Sequence, residues 1–134
     1  MKYIYQLLIL MTFCSCCPGI GNKYLIQNNT ESSLKVEFIL NYLYRNSNEK
    51  DSTHIVTLKP NTQTQIIEYF EIGTAHDKRN EFLQALDTII ITGERGTLIK
   101  NIYDRENWEY SVLNEALFSD EVQYKLILIR NDFE

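Results

Sequence analysis

Apolar and polar residues alternate along much of the chain, and this alternation predicts β-strands. The clearest example is residues 33–45, in which Leu34, Val36 and Phe38 are separated by single polar residues. A period of two turns one face of a strand to the core and the other to solvent. Six further segments are rich in β-branched or aromatic residues and are predicted as strands: residues 24–28, 54–59, 63–71, 88–92, 98–103 and 122–130.

Turn residues separate the predicted strands. Gly93 and Gly96 enclose a two-residue hairpin loop, where we expect both glycines to supply a positive φ. The sequence Lys-Pro-Asn-Thr at residues 59–62 predicts a second turn. The three isoleucines at residues 89–91 do not alternate with polar residues, so we expect both faces of that strand to be covered.

Residues 76–86 and 105–118 are predicted as short helical or irregular insertions that cover an open face or an end of the sheet. Apolar residues recur in them at helical spacing: Phe82, Ala85 and Leu86 in the first, and Trp108, Val112 and Ala116 in the second. Seven strands in about 110 residues predict an all-β, antiparallel sandwich of immunoglobulin-like type. A one-sheet barrel of lipocalin type is the alternative.

Composition bounds the function. The chain has 134 residues, the size of one domain, and its 18 acidic residues exceed its 13 basic ones. Because nucleic-acid binding draws on clustered positive charge, we expect no nucleic-acid partner. The sequence has neither the ligand spacing of a zinc or calcium site nor a glycine-rich phosphate loop, so we expect no metal and no cofactor.

The first residues have the pattern of a secretion signal. Lys2 supplies a positive charge, and residues 4–13 are mostly apolar but shorter than the roughly 20 residues of a membrane-spanning helix. At the end of this stretch Ser15 precedes Cys16, which resembles a bacterial lipobox. The resemblance implies that the chain is cleaved before Cys16 and that this cysteine carries lipid. We therefore expect three segments: a signal peptide at residues 1–15, a lipidated tether at residues 16–22 and one domain at residues 23–134.

Cys14 and Cys17 are alternatives for the lipidated position. Bulky Phe13 precedes Cys14, and Cys16 precedes Cys17, so both fit the pattern less well than Cys16. A disulfide or a metal site among the three cysteines is the remaining interpretation, and their spacing within four positions disfavours it.

The Ser15-Cys16-Cys17 junction and three later segments resemble small lipoproteins of unknown function that are abundant in Bacteroidetes. The later segments are residues 26–30 (Ile-Gln-Asn-Asn-Thr), 58–61 (Leu-Lys-Pro-Asn) and 87–91 (Asp-Thr-Ile-Ile-Ile). The resemblance implies a β-sandwich in the bacterial cell envelope, anchored by lipid to the outer membrane and facing the periplasm or the surface. It implies no particular activity.

Asp51-Ser52-Thr53 resembles the acceptor pattern for O-glycosylation in Bacteroidetes envelope proteins. Ser52 ends the polar segment 46–52, where we expect a loop that a transferase can reach. Thr88 has a similar context but opens an apolar strand, which folding would hide. Ser52 is therefore the predicted glycosylation site.

Candidate catalytic groups are few. We expect His54 to lie at the edge of the core or at a strand end, and His76 in a solvated loop. His76 and Asp77 are adjacent, so their side chains seldom face each other, and no Gly-x-Ser-x-Gly sequence supplies a nucleophile. We therefore expect that the protein is not an enzyme. The alternative is a small hydrolase, which a cleft that joins a histidine to an acid and a hydroxyl would favour.

Aromatic residues beside acidic ones are the remaining candidates for a binding site. Glu68 and Glu71 flank Tyr69 and Phe70, and Trp-Glu-Tyr occurs at residues 108–110. Aromatic rings beside hydrogen-bonding groups bind sugars, although core or rim packing explains the same residues.

Together these patterns predict a lipid-anchored, non-catalytic binding or structural module whose partner is an envelope protein or a glycan. A carrier of a small ligand or glycan in a barrel cavity is one alternative. An immunity-type lipoprotein that inhibits a toxin through an acidic face opposite the tether is another. The strand at residues 24–28 would serve as an edge for a partner's sheet.

Overall fold

The computed structural model describes residues 18–44, 53–94, 96–115 and 119–134. It shows the predicted all-β sandwich, built from two separate four-stranded sheets rather than one closed barrel. The strands are β1 (Gly19–Asn28), β2 (Leu34–Leu40), β3 (His54–Leu58), β4 (Thr62–Ile72), β5 (Leu86–Gly93), β6 (Gly96–Thr97), β7 (Trp108–Asn114) and β8 (Ser119–Leu128).

Sheet A has the strand order β4-β1-β8-β7, and sheet B has the order β3-β2-β5-β6. All pairs are antiparallel except β1 and β8, which run parallel with Gly19 opposite Ser119 and Asn28 opposite Leu128. The prediction of an antiparallel sandwich is therefore confirmed for every strand pair except this one. The edge predicted at residues 24–28 is also wrong, because β1 lies between β4 and β8.

Six of the seven predicted strand segments lie in β1 to β5 and β8. The seventh, residues 98–103, is wrong: β6 ends at Thr97, and Leu98 makes only an isolated bridge with Phe133. Beyond this bridge the chain contacts sheet A, where the ammonium of Lys100 donates to the carbonyl of Ile127 at 2.8 Å.

The predicted insertion at residues 105–118 is wrong over most of its described length. It begins with a three-residue 3-10 helix, Arg105–Asn107, and continues as strand β7. The apolar residues that suggested a helix are four positions apart, and an even spacing also fits the two-residue period of a strand.

The other predicted insertion, residues 76–86, lies in the connection between β4 and β5 except for Leu86, which begins β5. This connection comprises residues 73–85, and we call it the 73–85 insertion. It contains the 3-10 helix Arg79–Glu81 and turns, with no α-helix in the described chain. Phe82, Ala85 and Leu86 are buried, as their pattern predicts.

Two local predictions about the strands of sheet B are wrong. β2 ends at Leu40, and the 3-10 helix Tyr42–Tyr44 follows it. Ile89 and Ile91 are buried, but Ile90 is 47% exposed, because the outer face of β5 is open.

The two turns form where the sequence predicts them. In the hairpin between β5 and β6, Gly96 has a φ of +133°, a conformation that favours glycine. Gly93 is not among the positive-φ glycines; a Cβ on it would lie 3.0 Å from Leu34 Cδ2, so a larger residue there would displace the end of the Leu34 side chain. Asn61, with a φ of +53°, turns the chain between β3 and β4 and so joins the two sheets.

The two sheets differ in length, and this difference sets the position of the insertion. β1, β4 and β8 have 10, 11 and 10 residues. β2 and β5 have 7 and 8. Sheet A therefore extends past sheet B at the end where β1 begins, and residues 73–85 start at that end: the N–H of Gly73 donates to the carbonyl of Pro18 at 2.9 Å.

Asn28 closes the opposite end of the sandwich. Its buried amide nitrogen donates to the carbonyls of Ser32, Leu58 and Lys59 at 2.9, 3.3 and 3.0 Å. Its oxygen accepts from the N–H and the hydroxyl of Thr30. This one side chain therefore joins residues 26–30 to residues 58–61, two of the segments on which the lipoprotein resemblance depends.

The folded domain begins earlier than the predicted boundary at residue 23. β1 starts at Gly19, and Ile20 and Asn22 are buried, so the predicted tether at residues 16–22 overlaps the first strand. Cys14, Cys16, Cys17 and Ser52 lie outside the described residues. Among the helices of the described chain, none is long and apolar enough to span a membrane.

Phe82→Ala tests whether the insertion is part of the core. Phe82 is 2% exposed, so the truncation leaves a cavity and should lower the free energy of unfolding by about 3–5 kcal/mol. Phe70→Ala is the matched control, because Phe70 is 76% exposed and its loss should change stability by no more than about 0.5 kcal/mol. Urea unfolding measures both; equal effects would contradict the packing described here.

Candidate functional site

Each strand of sheet A contributes one tyrosine to its inner face: Tyr69 from β4, Tyr24 from β1, Tyr124 from β8 and Tyr110 from β7. We call these four side chains the tyrosine row. Tyr24 stacks on Tyr124 with ring centroids 5.3 Å apart and on Tyr69 at 6.0 Å. Tyr110 and Tyr124 are register partners, and their rings are also 5.3 Å apart. The row lies under the 73–85 insertion.

The hydroxyls of the row bind the backbone of the insertion. Tyr24 donates to the carbonyl of Phe82, and the hydroxyl of Tyr124 accepts from the N–H of Lys78 at 2.9 Å. Burial raises the pKa of Tyr124 to about 12 and raises that of Tyr24 further. Both phenols are therefore neutral hydrogen-bonding groups at any ordinary pH.

Lys78 covers the Tyr69 end of the row. Its ammonium lies 5.2 Å from the ring centroid of Tyr69, donates to that hydroxyl at 3.0 Å and pairs with Glu71. Burial alone would lower the pKa of Lys78, but the hydrogen bonds to Glu71 and Tyr69 outweigh it and raise the pKa above its ordinary value. Lys78 is therefore held in its charged form and is a poor general base.

Arg105 covers the other end of the row. Its guanidinium lies over the rings of Tyr124, Tyr110 and Phe82, with centroid distances of 5.3, 5.8 and 5.9 Å. It also donates twice to Asp77, from Nε to Oδ1 and from Nη2 to Oδ2, each at 2.8 Å. Arg105 thereby joins the 73–85 insertion to the loop before β7.

Asp77 is held in its ionised form by this pair. Burial alone would raise the pKa of its carboxyl, but the hydrogen bonds from Arg105 and from the N–H of Arg79, with the charge of Arg105, lower that pKa below its ordinary value. A carboxylate in such a pair is a weak proton acceptor, so the pair is suited to holding the two loops together rather than to proton transfer.

An open cleft of about 570 Å³ lies between these two loops. Its lining comprises Asp77, Arg79, Asn80, Tyr103, Asp104, Arg105 and Glu106. Tyr103 is 58% exposed. Arg79 has a φ of +49°, which is uncommon for a residue other than glycine.

Local hydrogen bonds hold the loop that carries Tyr103. The side-chain oxygen of Asn101 accepts from the N–H of Tyr103 at 3.1 Å, and the carbonyl of Asn101 accepts from the amide of Asn107 at 2.8 Å. A carboxylate oxygen of Asp104 accepts from the N–H of Glu106 at 3.0 Å. The cleft therefore has a preorganised wall with an aromatic ring, carboxylates and, opposite, the side chains of Arg79 and Asn80.

Neither histidine lies in this cleft. The ring of His54 stacks on Phe38 at 5.1 Å, at the start of β3, as its position in the pattern predicts. His76 is exposed, and its Nδ1 lies 2.8 Å from the carbonyl of Thr74. In the described chain, no group of three or more His, Cys, Asp and Glu residues could hold a metal ion.

The aromatic and acidic residues at 68–71 do not share one surface, and core packing, the other interpretation of the pattern, holds for Tyr69. Strand alternation turns Tyr69 to the core, where it is 7% exposed, and leaves Phe70 76% exposed on the outer face of β4. Trp108 is likewise buried, and its indole N–H donates to the carbonyl of Ile102 at 2.8 Å. These residues are therefore split between the two faces of sheet A.

Sequence patterns did not single out Arg79, Tyr103 or Arg105 as site residues. They lie in loops of irregular backbone, and the pair of Arg105 with Asp77 spans 28 positions. The only local signal was the Asn-x-x-Asp sequence at residues 101–104, which is typical of tight turns but not of a function.

No protein-family model, curated protein or solved structure matches this chain.

Asp77→Asn tests the ion pair through its dependence on pH. Because the pKa of folded Asp77 lies below the 3.8 of a free carboxyl, its contribution to stability is present above about that pH and is lost as the pH falls through the folded pKa. At neutral pH the variant should be about 2 kcal/mol less stable than the wild type. The difference should shrink below pH 3.8.

Urea unfolding from pH 7 to pH 2.5 measures this difference. The control is Glu94→Gln, which removes an exposed carboxylate in the hairpin between β5 and β6. A difference between wild type and Asp77→Asn that does not change with pH would refute the ionised pair.

Proposed function

We propose that this chain is a lipid-anchored protein of the bacterial cell envelope and that its sandwich is a non-catalytic binding module. We assign its ligand site to the cleft between residues 77–80 and 103–106. The ligand class is a hydroxyl-rich molecule such as a glycan. The observation that carries the proposal is the exposed ring of Tyr103 in a cleft with the side chains of Arg79, Asn80, Asp104 and Glu106.

The chemistry of the cleft supports a glycan. Sugars present apolar ring faces and many hydroxyls, and they bind to aromatic rings flanked by planar polar side chains. Tyr103 supplies the ring, Asn80 an amide, and Asp104 and Glu106 supply acceptors. The loop hydrogen bonds of Asn101 fix this arrangement before a ligand arrives, which lowers the entropy cost of binding.

The protonation states of groups in and near the cleft support a binding module without catalysis. Asp77 is ionised and paired, Lys78 is charged and paired, and Tyr124 is neutral. A general acid or base needs a pKa near the working pH, and the pKa of each of these groups is shifted away from neutral pH.

The end of the sandwich that carries Asn28 supports a second candidate function, the inhibition of a partner protein. Glu31 and Glu94 line a cleft of about 240 Å³ there, beside Arg130. This end carries the last residue of β1, so it lies opposite the start of the domain at Gly19. Two carboxylates there fit a basic partner surface.

Tyr103→Ala tests the cleft. On an array of oligosaccharides, the wild-type protein should bind at least one glycan, and the variant should bind it about tenfold more weakly because the stacking surface is lost. Tyr42→Ala is the matched control, since Tyr42 is 71% exposed but belongs to the 3-10 helix after β2. Equal losses in both variants, or no glycan bound by the wild type, would reject the assignment.

Cys16→Ser tests the anchor. The wild-type protein should fractionate with membranes in its native host, and its N-terminal peptide should begin at Cys16 and carry diacylglycerol and an acyl chain. Cys16→Ser should leave the protein unlipidated, whereas Cys17→Ser should not. Lipid on Cys14 or Cys17 would contradict the assignment to Cys16 and place the anchor at that cysteine.

The same digest tests the proposed glycan on Ser52, which should appear as a series of added hexose masses.

A further inference from the structure

Two large apolar side chains are exposed at the end of the domain where the chain enters it. Phe70 and Ile72, at the end of β4, are 76% and 78% exposed. They are the most exposed large apolar residues in the described chain. Their register partners on β1 are Gly21 and Gly19, which have no side chains to cover them. We call Phe70 and Ile72 the apolar tip.

The outer face of sheet A changes from apolar to charged within one step along the strands. The next outward residue of β1, Lys23, forms ion pairs with Glu68 on β4 and with Glu121 on β8. Farther along, Lys125 pairs with Glu109 at 2.8 Å. Charged pairs therefore lie on this face from Lys23 onward, and its two most exposed apolar side chains, Phe70 and Ile72, lie next to Gly19.

The start of the domain is fixed beside this tip. The carbonyl of Pro18 accepts a hydrogen bond from the N–H of Gly73, the residue that follows Ile72. Two residues, Cys17 and Pro18, lie between Cys16 and Gly19. The three steps of extended chain from Cys16 to Gly19 span at most about 10 Å. A lipid on Cys16 would therefore hold the apolar tip within about 10 Å of the membrane surface.

We propose that Phe70 and Ile72 insert into the membrane at the boundary between headgroups and acyl chains and so orient the domain. This inference rests on the proposed lipid at Cys16. Apolar side chains beside an anchor gain free energy by entering this boundary, which lies about 5–10 Å into the bilayer. The paired charges that begin at Lys23 then stop deeper insertion, because charged groups are costly in the acyl region.

The test places a tryptophan at the apolar tip of the full lipidated protein. Phe70→Trp and the control Ile129→Trp are reconstituted in phosphatidylcholine vesicles whose acyl chains carry bromine near the headgroup. Ile129 is 45% exposed and follows β8, at the opposite end of the sandwich from Gly19. The native Trp108 is 3% exposed, and its signal is subtracted with the wild-type protein.

Bromolipid should quench the added fluorescence of Phe70→Trp at least threefold more strongly than that of Ile129→Trp, with a blue shift of emission on reconstitution. Equal quenching of the two variants, with lipid on Cys16 verified by peptide mass, would overturn the docking and leave the anchor intact. A blue shift that depends on protein concentration without vesicles would also overturn it, because the tip would then bind a second copy. A peptide mass without lipid would overturn the anchor itself, and the docking with it.

Discussion

The tyrosine row on the inner face of sheet A is the constraint on which the rest of the structure depends. Three strands of sheet A are longer than the strands of sheet B, and the tyrosine row needs cover from outside the two sheets. Tyr44, in the 3-10 helix after β2, packs on Tyr69 with ring centroids 4.6 Å apart. Buried rings need apolar cover, and their hydroxyls need hydrogen-bond partners. The 73–85 insertion supplies both: Phe82 packs on Tyr124 at 5.8 Å, and backbone groups of Phe82 and Lys78 bind the hydroxyls of Tyr24 and Tyr124.

Two cations complete this cover, and their placement explains why the cleft exists. Lys78 and Arg105 lie at opposite ends of the row, each over a ring and each paired with a carboxylate, Glu71 and Asp77. Desolvation would make either cation costly alone, and the rings and carboxylates offset that cost. The side chain of Arg105 bridges its loop to the 73–85 insertion through Asp77, and the cleft is the space between the two loops beside this pair.

The sequence predicts the sandwich well because most strands satisfy a simple local rule. β2 to β4 show the two-residue period or a run of strand-forming residues. The spacing of Phe82 and Ala85 predicts the part of the insertion that packs on the core. The features that the sequence does not predict depend on contacts between residues far apart in the chain. The parallel pair joins residues 19–28 to residues 119–128. The spacing of Trp108 and Val112 fits helix and strand alike, and only its register with β8 decides the strand. Tyr103 has no periodic neighbours, so nothing local marks it as part of a site.

Residues that are adjacent in the sequence lie on opposite faces of sheet A and have different roles there. In residues 68–71 two acidic residues flank two aromatic ones, a pattern that suggests one binding surface. The strand instead turns Tyr69 and Glu71 inward and Glu68 and Phe70 outward. The inward pair belongs to the network of Lys78 that closes the sandwich. The two outward side chains also differ from each other. Glu68 forms an ion pair with Lys23, whereas Phe70 lies over Gly21 and stays exposed. An exposed phenylalanine contributes little to folding, so its position beside the start of the domain suits it to a contact outside the fold. With the lipid that we propose on Cys16, the nearest surface for that contact is the membrane.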